Sequence, residues 1–412
     1  MMTFREIGHR ISVEKAKELI YSRINRIGSE EIVVIESLGR VVASEVRSAT
    51  DVPHFERSAM DGYAVIAADT FGSTQQKPAK LDTIGESRIG EIPKEIVRSG
   101  GAVEVATGSQ VPEGADAIIK FENTDRVGDT LKAYFPVTPG ENVSKKGEDI
   151  KRGDAVVIEG QLIRPQDIAA LLVCGILRIH VAKKPTVAIL ATGNELVEPQ
   201  NTQVPAKVFN INSHSLSSYV TLYGGKPMNL GIIKDSSEEL ENALEAALQY
   251  DLAVFSGSTS VGRKDMLPEV VSSVGEIVFR GVSMRPGGPT TVGIVNGKHV
   301  FLLPGYPVAT MIAFETFVGP TIRRMMGASC LDPRCEVTAL LGSRVPSALG
   351  RRDYVRVSLQ ADNQGETIAH PLRSSGSGIV SSMTKADGLV EIPEDAEGLE
   401  KGSKVIVKLF PK

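Results

Sequence analysis

Residues 184–199 read KPTVAILATGNELVEP, and the apolar run at 187–191 decides the fold class. It does not alternate with polar residues and is followed closely by Gly193, the pattern of a strand buried on both faces. The pattern recurs downstream. MNLGIIKD at 228–235 reads as a second strand, LAVFSG at 252–257 as a third, and TVGIVNGKHVFLLPG at 291–305 as a hairpin on the Asn296-Gly297 turn. Between these strands, 213–222 has helical character. SSEELENALEAALQYD at 236–251 carries Leu240, Ala243, Leu244, Ala247 and Leu248 on one stripe, with Ser236 and Glu239 at capping-box spacing. A last helix starts at Val308. Strand and helix alternating across 184–327 predict a doubly wound α/β domain.

The flanks read differently. Val13, Ala16, Leu19, Ile20 and Ile24 have helical spacing over 12–27. From 47 to 143 short β-like runs are broken by Gly and Pro, as in GAVEVATGSQVPEGADAIIK at 101–120, which predicts a β-rich module. A helix is expected after Pro165, stopping near Gly175. The tail from 328 to 412 returns to short strands (EVTALLGS, RRDYVRVSLQ, GLVEIP, KVIVKLF), as in a small barrel or sandwich.

Composition narrows the class of function. In 412 residues, 42% are hydrophobic and 23% charged, the profile of a soluble globular protein with real cores. A net charge of −4 argues against a general nucleic-acid surface, and the short clusters Lys145-Lys146 and Arg351-Arg352 read as solvated faces. Three cysteines without a C-x-x-C pair, and scattered histidines, support neither a disulfide framework nor a zinc site. No apolar run is long enough to span a bilayer, and the first twenty residues lack a signal-peptide core. The expectation is a cytoplasmic protein with no membrane and no nucleic-acid partner.

In an open α/β sheet, ligands bind beyond the carboxyl ends of the strands. Four such ends carry polar residues here: Thr192-Gly193-Asn194-Glu195, Asp235, the run Ser256-Gly257-Ser258-Thr259-Ser260-Val261-Gly262 with Asp265 beyond it, and Pro304-Gly305-Tyr306-Pro307. The Ser/Gly run fits an anion cradle, because glycines let amides turn toward a phosphate and hydroxyls add donors; a tight β–α turn wants the same residues. Glu195, Asp235 and Asp265 beside a phosphate are costly unless a divalent cation lies between, and Mg²⁺ suits that role; each carboxylate is otherwise a helix cap or an ion-pair partner. Arg285 can hold an oxyanion bidentately, or it is a surface residue. Asp61 in FERSAMDGYAV, Thr107 in ATGSQVPEG and Asp149 in KKGEDI sit at turns, where capping is the plain alternative. The residues by themselves reach an α/β domain that binds a phosphorylated ligand with a divalent cation.

Eight blocks in order go further: DVPHFERSAMDGYAV, ATGSQVPEGADAII, GEDIKRGD, ILATGNELVEP, NINSHSL, FSGSTSVGRKD, RPGGPTTVG and LLPGYPVATMIAFETF. Over essentially its whole length the chain resembles the molybdopterin molybdenumtransferase family, which includes the corresponding domain of gephyrin. The resemblance implies an elongated homodimeric subunit with a discontinuous first domain (1–46 and 144–183), a β-rich insert (47–143), an α/β molybdopterin-binding domain (184–327) and a C-terminal β-barrel (328–412). It implies adenylylated molybdopterin and molybdate or tungstate as substrates, Mg²⁺ as cofactor, AMP as product, and a molybdopterin adenylyltransferase as upstream partner. Glu195, Asp235 and Asp265 match the family's acidic residues in the α/β domain, and Asp61, Thr107 and Asp149 match functional positions elsewhere. In a family-like dimer Asp61 and Thr107 reach the cleft from the neighbouring subunit.

Three blocks depart from the family pattern. Its usual K-P-G-K-P stretch is Arg285-Pro286-Gly287-Gly288-Pro289 here, and a further basic position is Gly281, next to Arg280. SGSTSVG stands where SGGTSVG is usual, and PGYP where PGNP is usual. The thinned basic cluster favours one competing reading, a non-catalytic pterin-binding scaffold, and the generic phosphate loop with its carboxylates permits another, a hydrolase of another nucleotide-linked substrate. The retained carboxylates oppose the scaffold.

Overall fold

The computed structural model describes residues 10–200, 205–257, 266–372 and 378–410. Its central feature is a six-stranded sheet in the order 226–233, 186–192, 252–256, 298–303, 291–295, 276–280. The first four strands run parallel, the hairpin on Asn296-Gly297 adds 291–295 antiparallel to the fourth, and 276–280 pairs antiparallel with 291–295. Both hairpin-turn residues have positive φ, 51° and 75°, as a tight two-residue connection requires.

Alternate side chains feed two cores. Val187, Ile189, Leu252, Val254, Phe301 and Leu303 face one layer, formed by helices Val13–Tyr21 and Asn212–Leu222 and the helical run 307–325. Ala188, Leu190, Ala253, Phe255, Val300 and Leu302 face helices Ser237–Ala247 and Met266–Val274. Burial on both faces explains why the strands read as unbroken apolar runs, and the sheet is doubly wound as expected. Ser236 caps its helix by accepting the Glu239 amide. Asp235, for which capping was the alternative, is not the cap.

The first helix is shorter than its spacing predicts, Val13–Tyr21 instead of 12–27. Beyond Ser22 the backbone leaves the helix, and the Ile27 amide donates to the Met325 carbonyl at 2.8 Å. A tertiary hydrogen bond has replaced a helical one. The helix buries Val13, Ala16 and Ile20 in the α/β core. The adjoining module closes by pairing Ser29–Val33 with Arg178–Ala182 and Val46–Arg47 with Ala155–Val157. Helix Pro165–Val173 covers it. The β-rich segment forms its own six-stranded sheet between the two halves of that module.

The tail is a closed barrel. Strand Arg352–Ala361 pairs with both Thr367–Pro371 and Gly388–Ile392, and Glu336–Leu341 and Lys404–Leu409 complete the ring. Thr367–Pro371 was not legible in the sequence, because it is short and follows a polar turn. The barrel is tied to the α/β domain by Met284–Arg285, which runs parallel to Arg352–Asp353. No described helix is long and apolar enough to cross a membrane.

A line of ion pairs seats the barrel. Glu315 lies in a π-helical turn, Phe314–Val318, and is 2% exposed. Arg334 bridges it (3.2 Å) to Asp332 (2.8 Å), and Lys408 links Asp332 (3.5 Å) to Glu391 (2.9 Å). Arg352, read from sequence as a solvated face, instead joins Glu391, Glu394 and Glu14 of the first helix. Burial pushes the Glu315 carboxyl up to about 7 against the pull of Arg334, and its Oε1 has no hydrogen-bond partner among the described residues. Asp332 is half-buried, which raises its pKa, yet the hydrogen bonds and charge of Arg334 hold it down at about 2.

Removing Arg334 leaves two carboxyl groups without their shared cation, so Arg334→Met should lower stability by about 3–5 kcal/mol in chemical denaturation. The pH dependence has a definite sign. Folded Glu315 keeps its proton up to about 7 while the unfolded group loses it near 4.5, so stability falls as pH rises through that window. Glu315→Gln should flatten the denaturation midpoint between those pH values; an unchanged slope would remove Glu315 as its source.

Candidate active-site cleft

The parallel strands do not follow chain order across the sheet. The second strand lies on one side of the first and the third on the other, so connections diverge between Thr192 and Ser256. Such a switch point leaves a crevice at the carboxyl ends, where ligands bind. Gly257 has φ +117°, and a Cβ on it would lie 2.2 Å from the Thr192 carbonyl oxygen. Only glycine allows these two strand ends to close up. A Cβ on Gly305 would in turn lie 3.5 Å from the Gly257 Cα, so three turns stand side by side.

Asn212, at the start of its helix, holds this row together. Its Nδ2 donates to Ser256 Oγ (2.7 Å) and to the Gly305 carbonyl (2.8 Å). The Thr310 hydroxyl sits against the carbonyls of Pro304 and Tyr306 (3.0 Å to the latter), and Pro307 opens the helix Pro307–Ala313 with its φ already set. The first two strand ends are joined as well: Asn194 Oδ1 accepts the Asp235 amide at 3.3 Å, and Lys207 holds the Asn194 carbonyl at 2.6 Å. The exposed Glu195 carboxylate folds over Gly193, where a Cβ would meet it at 2.6 Å.

Thus Thr192, Gly193, Asn194, Glu195, Asp235, Ser256, Gly257, Pro304, Gly305 and Pro307 share one end of the sheet. Ser258, Thr259, Ser260, Gly262 and Asp265 lie outside the described residues. Among the described residues no three His, Cys, Asp or Glu side chains converge as a metal cluster. Glu195 and Asp235 on adjoining loops suit a cation that completes its shell with phosphate and water, which needs only one or two carboxylates.

Asp61 and Thr107 are brought together in the β-rich module. Asp61 Oδ1 accepts both the Thr107 amide (2.7 Å) and its hydroxyl (3.1 Å), clamping two exposed loops. Asp149 is exposed in the returning linker, with its amide donated to the Val52 carbonyl.

A second feature was not foreseen. Between the α/β domain and the barrel is a cleft of about 720 Å³, whose described lining includes Arg10, Arg285, Arg344, Arg351 and Arg356. The one acidic wall residue among the described residues, Asp353, is taken by Arg351 through two hydrogen bonds of 2.7 and 3.0 Å. Arg344 pairs with Glu400 at 3.0 Å. Arg356 is 8% exposed, and burial together with the facing Arg285 charge pulls its pKa below the ordinary arginine value. Pro304 and Tyr306 line the same cleft, so the proline turn borders both the switch-point crevice and the arginines. Arg285 is therefore a cleft residue, and Arg351 is one as well. Arg280, the basic residue next to Gly281, ends the edge strand Glu276–Arg280 and is not among the cleft-lining residues described. An arginine between two valines in RDYVRVSLQA was the available signal for Arg356.

Comparison with known proteins agrees with this architecture. Residues 11–175 match the MoeA N-terminal region (domain I and II), 188–324 the family described as "Probable molybdopterin binding domain", and 338–410 the MoeA C-terminal region (domain IV). A molybdopterin biosynthesis protein of Methanocaldococcus jannaschii is 35% identical over 98% of this chain and 99% of its own length. A molybdopterin molybdenumtransferase of Staphylococcus aureus is 32% identical over 97% of this chain and 95% of its own. The crystal structure of a Pyrococcus horikoshii molybdopterin biosynthesis MoeA protein superposes with a TM-score of 0.85 at 36% identity, covering 98% of this chain and all of that one. The domain order, the closed terminal barrel and full-length similarity together make this chain a member of the MoeA family.

Proposed function

We propose that this protein is a molybdopterin molybdenumtransferase acting in molybdenum cofactor biosynthesis. Adenylylated molybdopterin lies across the strand ends with its phosphates toward Ser256 and Gly257, and the metal oxyanion enters the arginine cleft. The observation that carries this reading is the shared proline turn: Pro304 and Tyr306 line the cleft while Gly305 packs on Gly257. That turn sets the oxyanion beside the pterin, so proximity supplies much of the rate. Arg285 and Arg356 hold a tetrahedral dianion, and molybdate and tungstate meet that description equally.

Glu195 and Asp235 would hold Mg²⁺, and the resemblance assigns Asp265 to the same acidic set. Bound there, the cation supplies charge neutralisation at the phosphoanhydride as AMP leaves. Asn212 keeps the phosphate-side turn and the proline turn in register, so cleavage of the adenylate and capture of the metal occur at a fixed spacing.

The reading extends to assembly. The N-terminal module exposes Ile35 (71%), Leu38 (60%), Val173 (46%) and Leu177 (67%) in or just after the neighbouring elements Val34–Glu36 and Pro165–Val173. Apolar residues gathered so closely fit a buried interface with a second copy. Asp61 and Thr107 bond within their own module, as suits residues offered to a partner's cleft. An adenylyltransferase must supply the activated pterin, and a cytoplasmic setting suits the composition.

With adenylylated molybdopterin and Mg²⁺, titrating molybdate or tungstate should release AMP together with metal bound to pterin. Tight pterin binding without either product would overturn the enzyme in favour of a scaffold. Arg356→Ala should raise the half-saturating oxyanion concentration by about tenfold or more, the effect of one charge-assisted contact, with pterin binding unchanged.

A further inference from the structure

Arg10 and Ile11, just ahead of the first helix, are anchored beside the arginine cleft. Ile11 forms a parallel bridge with Val282; the Ile11 amide donates to the Gly281 carbonyl (3.4 Å), and the Ser283 amide donates to the Ile11 carbonyl (2.7 Å). Ser283 Oγ donates to the Arg10 carbonyl at 3.4 Å. These contacts place the Arg10 backbone beside 281–283. Its side chain then runs over two glycines. A Cβ on Gly281 would lie 3.3 Å from Arg10 Cγ, and one on Gly288 would lie 3.2 Å from Arg10 Nη1. Side chains at either position would press on the arginine; their absence forms its bed.

The charges of the cleft divide unequally. Arg351 is neutralised by Asp353 and Arg344 by Glu400. Among the described residues no carboxylate pairs with Arg10 or Arg285, and Arg285 faces the buried Arg356. Guanidinium groups gathered in one cleft repel one another, and a dianion between them turns that repulsion into attraction.

We propose that Arg10, brought in by the N-terminal segment, is an oxyanion-binding residue of this cleft and acts with Arg285 and Arg356. This deepens the proposed function and rests on its reading of the cleft as the oxyanion site. The guanidinium lies between the N-terminal segment and the Arg285–Pro289 stretch, so oxyanion affinity depends on that segment being docked.

The test uses the full chain and its Arg10→Gln, Arg10→Lys and Arg356→Ala variants. Molybdate alone and tungstate alone are titrated calorimetrically, and AMP release is followed against oxyanion concentration. Arg10→Gln should weaken both oxyanions roughly tenfold and raise the half-saturating concentration by the same factor, with a much smaller change in maximal rate. Arg10→Lys should recover most of the loss. Equal weakening by Gln and Lys would make Arg10 a packing residue and overturn the proposal. Wild-type affinity in Arg10→Gln, with loss in Arg356→Ala, would overturn it while leaving the cleft reading intact. Failure of the wild-type chain to bind either oxyanion, or unchanged affinity in both Arg10→Gln and Arg356→Ala, would overturn both.

Discussion

The bridge that Arg334 makes between buried Glu315 and Asp332 is the contact on which the arrangement of the functional cleft depends. Arg334 and Asp332 belong to the stretch that leaves the last α/β helix and leads into the barrel, and Lys408 and Arg352 extend the pairing to the barrel wall and to Glu14. Charges removed from water cost several kcal/mol unless their partners are held in place. A displaced barrel would therefore leave these groups unpaired. The same strand that contributes Arg352 to this set presents Arg356 to the cleft. Seating the barrel and forming the oxyanion wall are one structural event.

On the other side of the proline turn the constraint is steric. The three turns after the first, third and fourth parallel strands approach so closely that a Cβ on Gly257 has no room. Asn212 converts that closeness into a fixed geometry by holding Ser256 and Gly305 with one amide group. Hydrogen bonds with little room to relax are the basis of a preorganised site. Gly257 supplies close approach here, and Asn212 supplies rigidity.

Ser258 lies outside the described residues, and the departures from the family pattern at Gly281, Gly288 and Tyr306 fall in one region of the molecule. Gly281 and Gly288 stand where basic residues are usual, and both lie under the Arg10 side chain. A positive charge is present at that place, delivered from a different part of the chain. Arg280, adjacent to Gly281 in sequence, is on an edge strand away from the cleft lining. Tyr306, in place of the usual asparagine, is 65% exposed and lines the cleft, where its ring adds bulk at the mouth.

The sequence by itself determined the doubly wound sheet, because strands buried on both faces must be apolar throughout and Gly must follow where they crowd. It also determined the capped helix after Ser236 and the Asn296-Gly297 hairpin, since both are local chemistry. The shared position of the described strand ends, Thr192–Glu195, Asp235, Ser256-Gly257 and Pro304–Pro307, was legible for the same reason: topology puts all parallel strand ends on one side. The length of the first helix was not, because a hydrogen bond from Ile27 to Met325 ended it. Nor was the arginine cleft. Arg10, Arg285 and Arg356 are far apart in sequence and each reads singly as a surface residue. Only tertiary packing brings their charges together, and a field made by several charges at short range cannot be read from any one of them.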